Sequence, residues 1–265
     1  MRSLGIRKAR QVARALLRRF GVMAPEHVNI EVFAARLGAS VIVGPLEGAV
    51  AQLVRVGDHV HIVVSDRVTD PCVTRFCIAH ELGHFVLGHP SPDPSELCGR
   101  RRSRRGSDDV RDFEAEANAF AGELLIPFHL VRKLCEVSPV SLEVPWRLAK
   151  TFNVSILTGT IQFAEFSSER CAAVFSANCE VQWMAPSPTF TREIPRGKRL
   201  DRDSVAWDFF ENGVLDVSAQ HVPADAWLET SSEVDIVEHS IASVEHATVL
   251  SLLWIPDAAA VRLGL

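Results

Sequence analysis

Hydrophobic positions along the chain follow two different periods, and the changes between them outline the elements. Lys8–Phe20 carries Val12, Ala15, Leu16 and Phe20 at helical spacing, and Gly21 stops the pattern. Asn29 can cap a short helix over Ile30–Leu37 that ends at Gly38. Val41–Val43 reads as a strand. Ala49–Val56 and His59–Val64 alternate or run apolar on either side of Gly57-Asp58, the mark of a hairpin. Pro71 opens a helix running to Leu87, with Gly88 beyond it. Ser91–Asp109 is rich in Pro, Ser and Arg and reads as a loop. Helical spacing returns over Asp109–Leu125, closed by Pro127, and continues over His129–Glu136, Leu142–Phe152 and Ser155–Phe163.

After Ser167 the texture changes to short apolar runs. Cys171–Phe175, Val181–Met184, Val214–Val217, Asp235–Ile241 and Thr248–Ile255 have the length of strands, with a helical stretch over Ser204–Phe210. The pattern predicts an α+β protein in three parts: a first domain over residues 1–135, a helical segment over 136–167, and a C-terminal α+β domain over 168–265. Within the middle segment Leu148–Ser155 resembles the first half of a helix-turn-helix.

Composition narrows the classes. With 47% hydrophobic and 23% charged residues the chain is of ordinary globular make-up. A net charge of −5 gives no overall attraction for nucleic acid. The helix after the helix-turn-helix-like turn, Ile156–Phe163, carries no Lys or Arg for phosphate contacts. Direct nucleic-acid binding is therefore not expected, and a DNA-binding transcriptional regulator stands as a rival reading. No apolar run reaches the roughly 20 residues of a membrane span. Met1–Gly21 is Arg-rich and lacks the apolar centre of a signal peptide, so a soluble, cytoplasmic protein is expected. The six cysteines form no CxxC pair and read as free thiols. The pattern sets no oligomeric state.

The chemistry is concentrated in His80-Glu81-Leu82-Gly83-His84. Residues i and i+4 lie one above the other on a helix, so two imidazoles can reach one tetrahedral ion such as zinc. Glu81 follows the first histidine and can take a proton from a water on that ion without itself being a ligand. Gly83 has no side chain and admits close approach of another segment, against a helix-propensity cost of about 1 kcal/mol.

A catalytic zinc needs a third protein ligand. A histidine six residues after His84 would supply it in one peptidase class, but that position is Pro90. Glu114 and Asn118 stand at i and i+4 further along. Glu114 can complete a two-histidine, one-carboxylate set while Asn118 accepts a hydrogen bond from a ligand imidazole. Glu116 points to the other side of the helix, and Asp112 is the other nearby alternative.

The chain has no tyrosine to stabilise an oxyanion, which leaves His89, His129 and His221 as candidates for that task. Cys77 or Cys98 could close the fourth metal position as a thiolate, and Arg100–Arg105 could dock an acidic or nucleic-acid-bound substrate. A non-catalytic partner-binding protein is a further reading, against which the presence of Glu81 argues.

The segments HELGHFVLGHP and FEAEANAFAGELLIP resemble the ImmA/IrrE family of bacterial metallo-endopeptidases, the domain of unknown function 955. The likeness in motifs runs from Asn29 to Pro127, and the texture beyond it is similar to longer members. The resemblance implies a zincin-like domain with zinc on His80, His84 and Glu114 and with Glu81 as the acid/base. It implies cleavage of XRE-type helix-turn-helix repressors, hence a place in transcription regulation and stress response. By the same analogy the C-terminal domain is a sensory or substrate-recognition module of the GAF or PAS kind.

Overall fold

Parallel pairing of β1 (Ala39–Gly44) with β3 (His59–Ser65) and antiparallel pairing of β2 (Ala51–Val56) with β3 make a three-stranded sheet in the order β1-β3-β2. Gly57, at a φ of 59°, makes the two-residue hairpin turn with Asp58 possible. Val60, Ile62 and Val64 alternate onto the buried face of β3, which fixes the register. The computed structural model describes residues 2–90 and 107–265, with side chains from Leu4 to Pro90 and from Asp112 onward. Cys98 and the arginines of 100–105 lie outside the described residues.

Around this sheet the first unit, Met1–Leu130 with Lys150–Ser155, places α1 (Arg2–Arg19), α2 (Ile30–Arg36), α3 (Pro71–Leu87) and α4 (Ser107–Leu125). A short 3-10 turn, Pro25–His27, precedes α2. The expected cap at Asn29 forms, its side chain accepting from the Val32 N–H at 3.0 Å; the helix that Pro71 opens is capped by Asp70, whose side chain accepts from the Cys72 N–H at 2.7 Å. Helix α1 begins six residues before the expected Lys8, because its first turns carry few apolar residues to mark them. Helix α4 packs against both α1 and α3. Arg14 of α1 donates to the buried Glu123 of α4 at 2.9 Å, which pins the two together.

The second unit comprises Val131–Ala149 and Ile156–Leu265. Helix α5 (Phe128–Cys135) and helix α6 (Glu143–Phe152) each run across a unit boundary, and α7 (Ile156–Phe166) belongs wholly to the second. Along α7, Thr158, Gly159, Thr160, Gln162, Phe163, Ala164 and Phe166 are buried. A side chain at Gly159 would come within 2.6 Å of the Pro145 carbonyl, so α6 and α7 meet there backbone to backbone.

An antiparallel sheet follows in the order β5-β4-β8-β7-β6, formed by β4 (Cys171–Ala177), β5 (Glu180–Pro186), β6 (Gln220–Pro223), β7 (Asp235–Ser243) and β8 (Thr248–Trp254). One face packs on α8 (Val205–Asn212), α9 (Ala224–Trp227) and α10 (Asp257–Leu263) around Phe190, Val205, Trp227 and Leu253. Glu238 of β7 is fully buried among them. One of its oxygens accepts from the Val205 N–H (3.0 Å) and the Trp227 indole N–H (2.7 Å). The other accepts from the Ala206 N–H (2.8 Å) and the Ser240 hydroxyl (2.7 Å). The carboxylate thereby satisfies the first free N–H groups of α8. The mixed α+β class is as the pattern predicted. The run Val214–Val217 is not a strand: Val214 and Val217 are 69% and 79% exposed, and the strand lies later, at β6.

Candidate metal centre

Helix α3 delivers both histidines and then turns a third back onto them. Gly88 adopts the left-handed conformation, at a φ of 70°, as the cap. The His89 N–H then bonds the His84 carbonyl at 3.0 Å, and the His89 ring comes to rest beside that of His84. Gly83 faces α4: a Cβ there would lie 3.2 Å from both Cα and O of Ala117 and 3.1 Å from the Phe120 ring. This close approach brings Glu114 and Asn118 of α4 over His80 and His84.

Three donor atoms converge. His80 Nε2 and His84 Nε2 are 3.0 Å apart. Glu114 completes the triangle, with one oxygen 3.3 Å from His80 Nε2 and the other 3.5 Å from His84 Nε2. Ligands at about 2.0–2.1 Å from one tetrahedral ion stand about 3.3 Å from each other, so the triangle has the right size. Among the described residues, these three form the group of His, Cys, Asp and Glu side chains able to hold a metal. The two histidine side chains are 15% and 16% exposed and that of Glu114 is 53% exposed, which leaves one side of the triangle open to solvent.

The hydrogen bonds behind the triangle suit the same purpose. Asn118 Oδ1 lies 2.9 Å from His80 Nδ1 and accepts its N–H, so the Nε2 lone pair of His80 faces Glu114 and His84. Two imidazole lone pairs and a carboxylate meeting at one point repel unless a proton or a cation lies between them. The donor set therefore fits a divalent metal.

Protons alone charge the cluster unevenly. Burial would lower the His80 pKa, but its hydrogen bond and attraction to Glu114 outweigh that and raise it. The bond to His80 holds Glu114 below the ordinary carboxylate value. Burial and the charge on His80 push His84 down to about 4. Glu81 goes the other way: burial raises its carboxyl, opposed by the His80 charge and by a hydrogen bond from the Leu53 backbone N–H of β2.

The matching family is described as the Peptidase_M78, IrrE N-terminal-like domain, and it covers residues 25–158, about half of the chain. The chain belongs to this family. A similar solved structure is a Mycobacterium tuberculosis transcriptional regulator, 16% identical, with a TM-score of 0.60 over 97% of this chain and 78% of that one. At that identity the likeness is one of fold. Comparison with curated proteins returns no match.

Membership in this peptidase family implies a metallopeptidase-type function for residues 25–158 and a protein substrate. No helix among the described residues is long and apolar enough to cross a membrane. Several residues considered for the site in this family member lie elsewhere. His129 is engaged at 2.8 Å with the Val22 carbonyl, and His221 is exposed on β6 of the second unit. His89 is buried behind His84, on the ring edge away from His80. Glu116 bonds His89 at 3.1 Å and stays out of the donor triangle, as does Asp112. Cys77 is also outside the triangle, and burial together with the Glu81 charge raises its thiol pKa, which opposes a thiolate there. The Leu53 N–H that steadies Glu81 escaped the sequence reading, because a backbone donor leaves no residue-type signal.

Proposed function

We propose that this protein is a zinc-dependent endopeptidase with a zincin-like first domain, in which His80, His84 and Glu114 hold the metal and Glu81 is the general base. The observation that carries this is the triangle of two imidazole lone pairs and one carboxylate, with Glu81 beside it on the same helix. Zinc held there would supply Lewis acidity, lowering the pKa of a water toward ~7 and polarising the scissile carbonyl. Glu81 accepts the proton of the attacking water and returns it to the leaving nitrogen. Its raised pKa suits a group that must both take and give up a proton. The Leu53 N–H keeps the carboxylate aimed while Asn118 holds the His80 ring.

The substrate we propose is an XRE-type helix-turn-helix repressor in the cytoplasm, cut at one or a few sites to relieve repression, as the family resemblance implies. The middle segment, 136–167, and the C-terminal domain, 168–265, would then choose the substrate or sense the signal. The five-stranded antiparallel sheet, with its first and last strands adjacent, is in keeping with a GAF- or PAS-like sensory module. The fold shared with a transcriptional regulator raises a second reading, direct DNA binding. The burial of α7 and its lack of Lys and Arg speak against it.

Co-expression with a helix-turn-helix repressor encoded nearby, followed by mass spectrometry, tests the proposal. Discrete fragments should appear with the wild type and not with Glu81→Gln, which keeps the volume but cannot accept the water's proton. An intact repressor beside zinc-loaded wild type, together with a salt-dependent gel shift, would favour the DNA-binding reading.

A further inference from the structure

Glu116 stands at the far end of a hydrogen-bonded chain that finishes on a metal donor. An ionised carboxylate can only accept, so His89 Nε2 carries a hydrogen and donates it to Glu116 at 3.1 Å. A neutral His89 then offers a lone pair at Nδ1. The His84 Nδ1, 3.0 Å away, must be the donor to it. With its hydrogen on Nδ1, His84 presents a free lone pair at Nε2, toward His80 and Glu114. One carboxylate thus dictates the tautomers of two successive rings. The middle ring cannot swing away: its side chain is 4% exposed, and it lies between the edge of His84 at 4.9 Å and the Phe113 ring at 4.7 Å.

The seat of Glu116 is prepared by another element. Gly5 lies inside α1, where glycine is a poor helix former and where no positive φ requires it. A Cβ at that position would overlap Glu116 Oε1 and come within 2.8 Å of its Cδ. The missing side chain is the space the carboxylate occupies.

We propose that Gly5, Glu116 and His89 form a positioning relay that holds His84 in the tautomer able to bind metal. The inference rests on the metal reading above and assigns to these three residues a task outside the donor triangle. Loss of such hydrogen bonds behind a ligand costs about 10–100-fold in metal affinity.

The test uses the full chain as wild type, Glu116→Ala and Gly5→Ala. Zinc affinity is measured by competition with a chromophoric chelator, and the histidine tautomers by long-range proton–nitrogen NMR. In the wild type His84 should carry its hydrogen on Nδ1 and His89 on Nε2. Both variants should lose about 10–100-fold in zinc affinity and show a mixed His89 tautomer, while His80, held by Asn118, keeps its own. Gly5→Ala should do this with little change in Tm, because the gain in helix propensity offsets the lost His89–Glu116 hydrogen bond; a merely structural role would lower zinc affinity and Tm together. Zinc affinities within about twofold of wild type in both variants, or a wild-type His84 protonated on Nε2, would overturn the relay. Wild type that binds no zinc would instead overturn the metal reading, and the His89 tautomer, compared between wild type and Gly5→Ala, would still decide the relay.

Discussion

Replacing Gly83 by alanine sets two effects of known sign against each other. Alanine improves the propensity of α3 by about 1 kcal/mol. Its Cβ, however, would stand 3.2 Å from Cα and O of Ala117 and 3.1 Å from Phe120 Cδ1. Ordinary carbon contacts are about 3.5–4.0 Å. The Phe120 ring can turn, but Ala117 contributes backbone, so α4 must retreat from α3 by a few tenths of an ångström. Overpacking of this kind costs about 1–3 kcal/mol. The net expectation is a loss of about 0–2 kcal/mol in a urea titration, with the gain from propensity consumed. The same retreat carries Glu114, one turn before Ala117, away from His80 and His84. Zinc affinity should therefore fall even if stability hardly changes, which a chelator competition would read. A Gly83→Ala protein stabilised by the full propensity gain, with unchanged zinc affinity, would refute the claim that this contact sets the metal site.

Two further predictions concern charge. Glu238→Gln puts an amide NH2 against two N–H or O–H donors that now share a carboxylate oxygen, each worth about 1–3 kcal/mol when left unsatisfied; a loss of about 2–5 kcal/mol in denaturant unfolding is expected, and a change below about 1 kcal/mol would show that the buried carboxylate is dispensable. Metal binding needs His80 unprotonated, and its pKa lies above the ordinary 6.5. At that pH, zinc should expel more than half a proton from His80; apparent affinity climbs as pH rises toward the raised pKa, and above it the release fades and the affinity levels off. Calorimetry in buffers of different ionisation enthalpy checks this, and identical heats in all buffers at pH 6.5 would contradict it.

What could be read along the chain was mostly local. Asn29, Pro71 and Gly88 mark helix ends because a cap acts within one turn. The spacing of His80 and His84, and of Glu114 and Asn118, placed each pair on one helix face, and helix packing brings the faces together at Gly83. Gly5 escaped because its reason lies in α4, more than a hundred residues away in sequence. His89 reads along the chain as a candidate for the oxyanion; its partnership with Glu116 spans 27 residues and depends on how Gly88 turns the chain. Strand β6 has a single buried apolar residue, Val222, so no apolar run announces it. Val214 and Val217 look like a strand in one dimension and stand in solvent in three.

X-ray absorption at the zinc edge of the loaded full-length protein tests the central claim most directly. Two imidazole nitrogens at about 2.0–2.1 Å and carboxylate and water oxygens at about 2.0–2.2 Å should make up the first shell. In Glu114→Ala the zinc should be lost or its oxygen shell altered, because Glu114 supplies one side of the donor triangle. A sulfur at about 2.3 Å, or a spectrum unchanged by Glu114→Ala, would contradict the assignment of His80, His84 and Glu114 as the ligands.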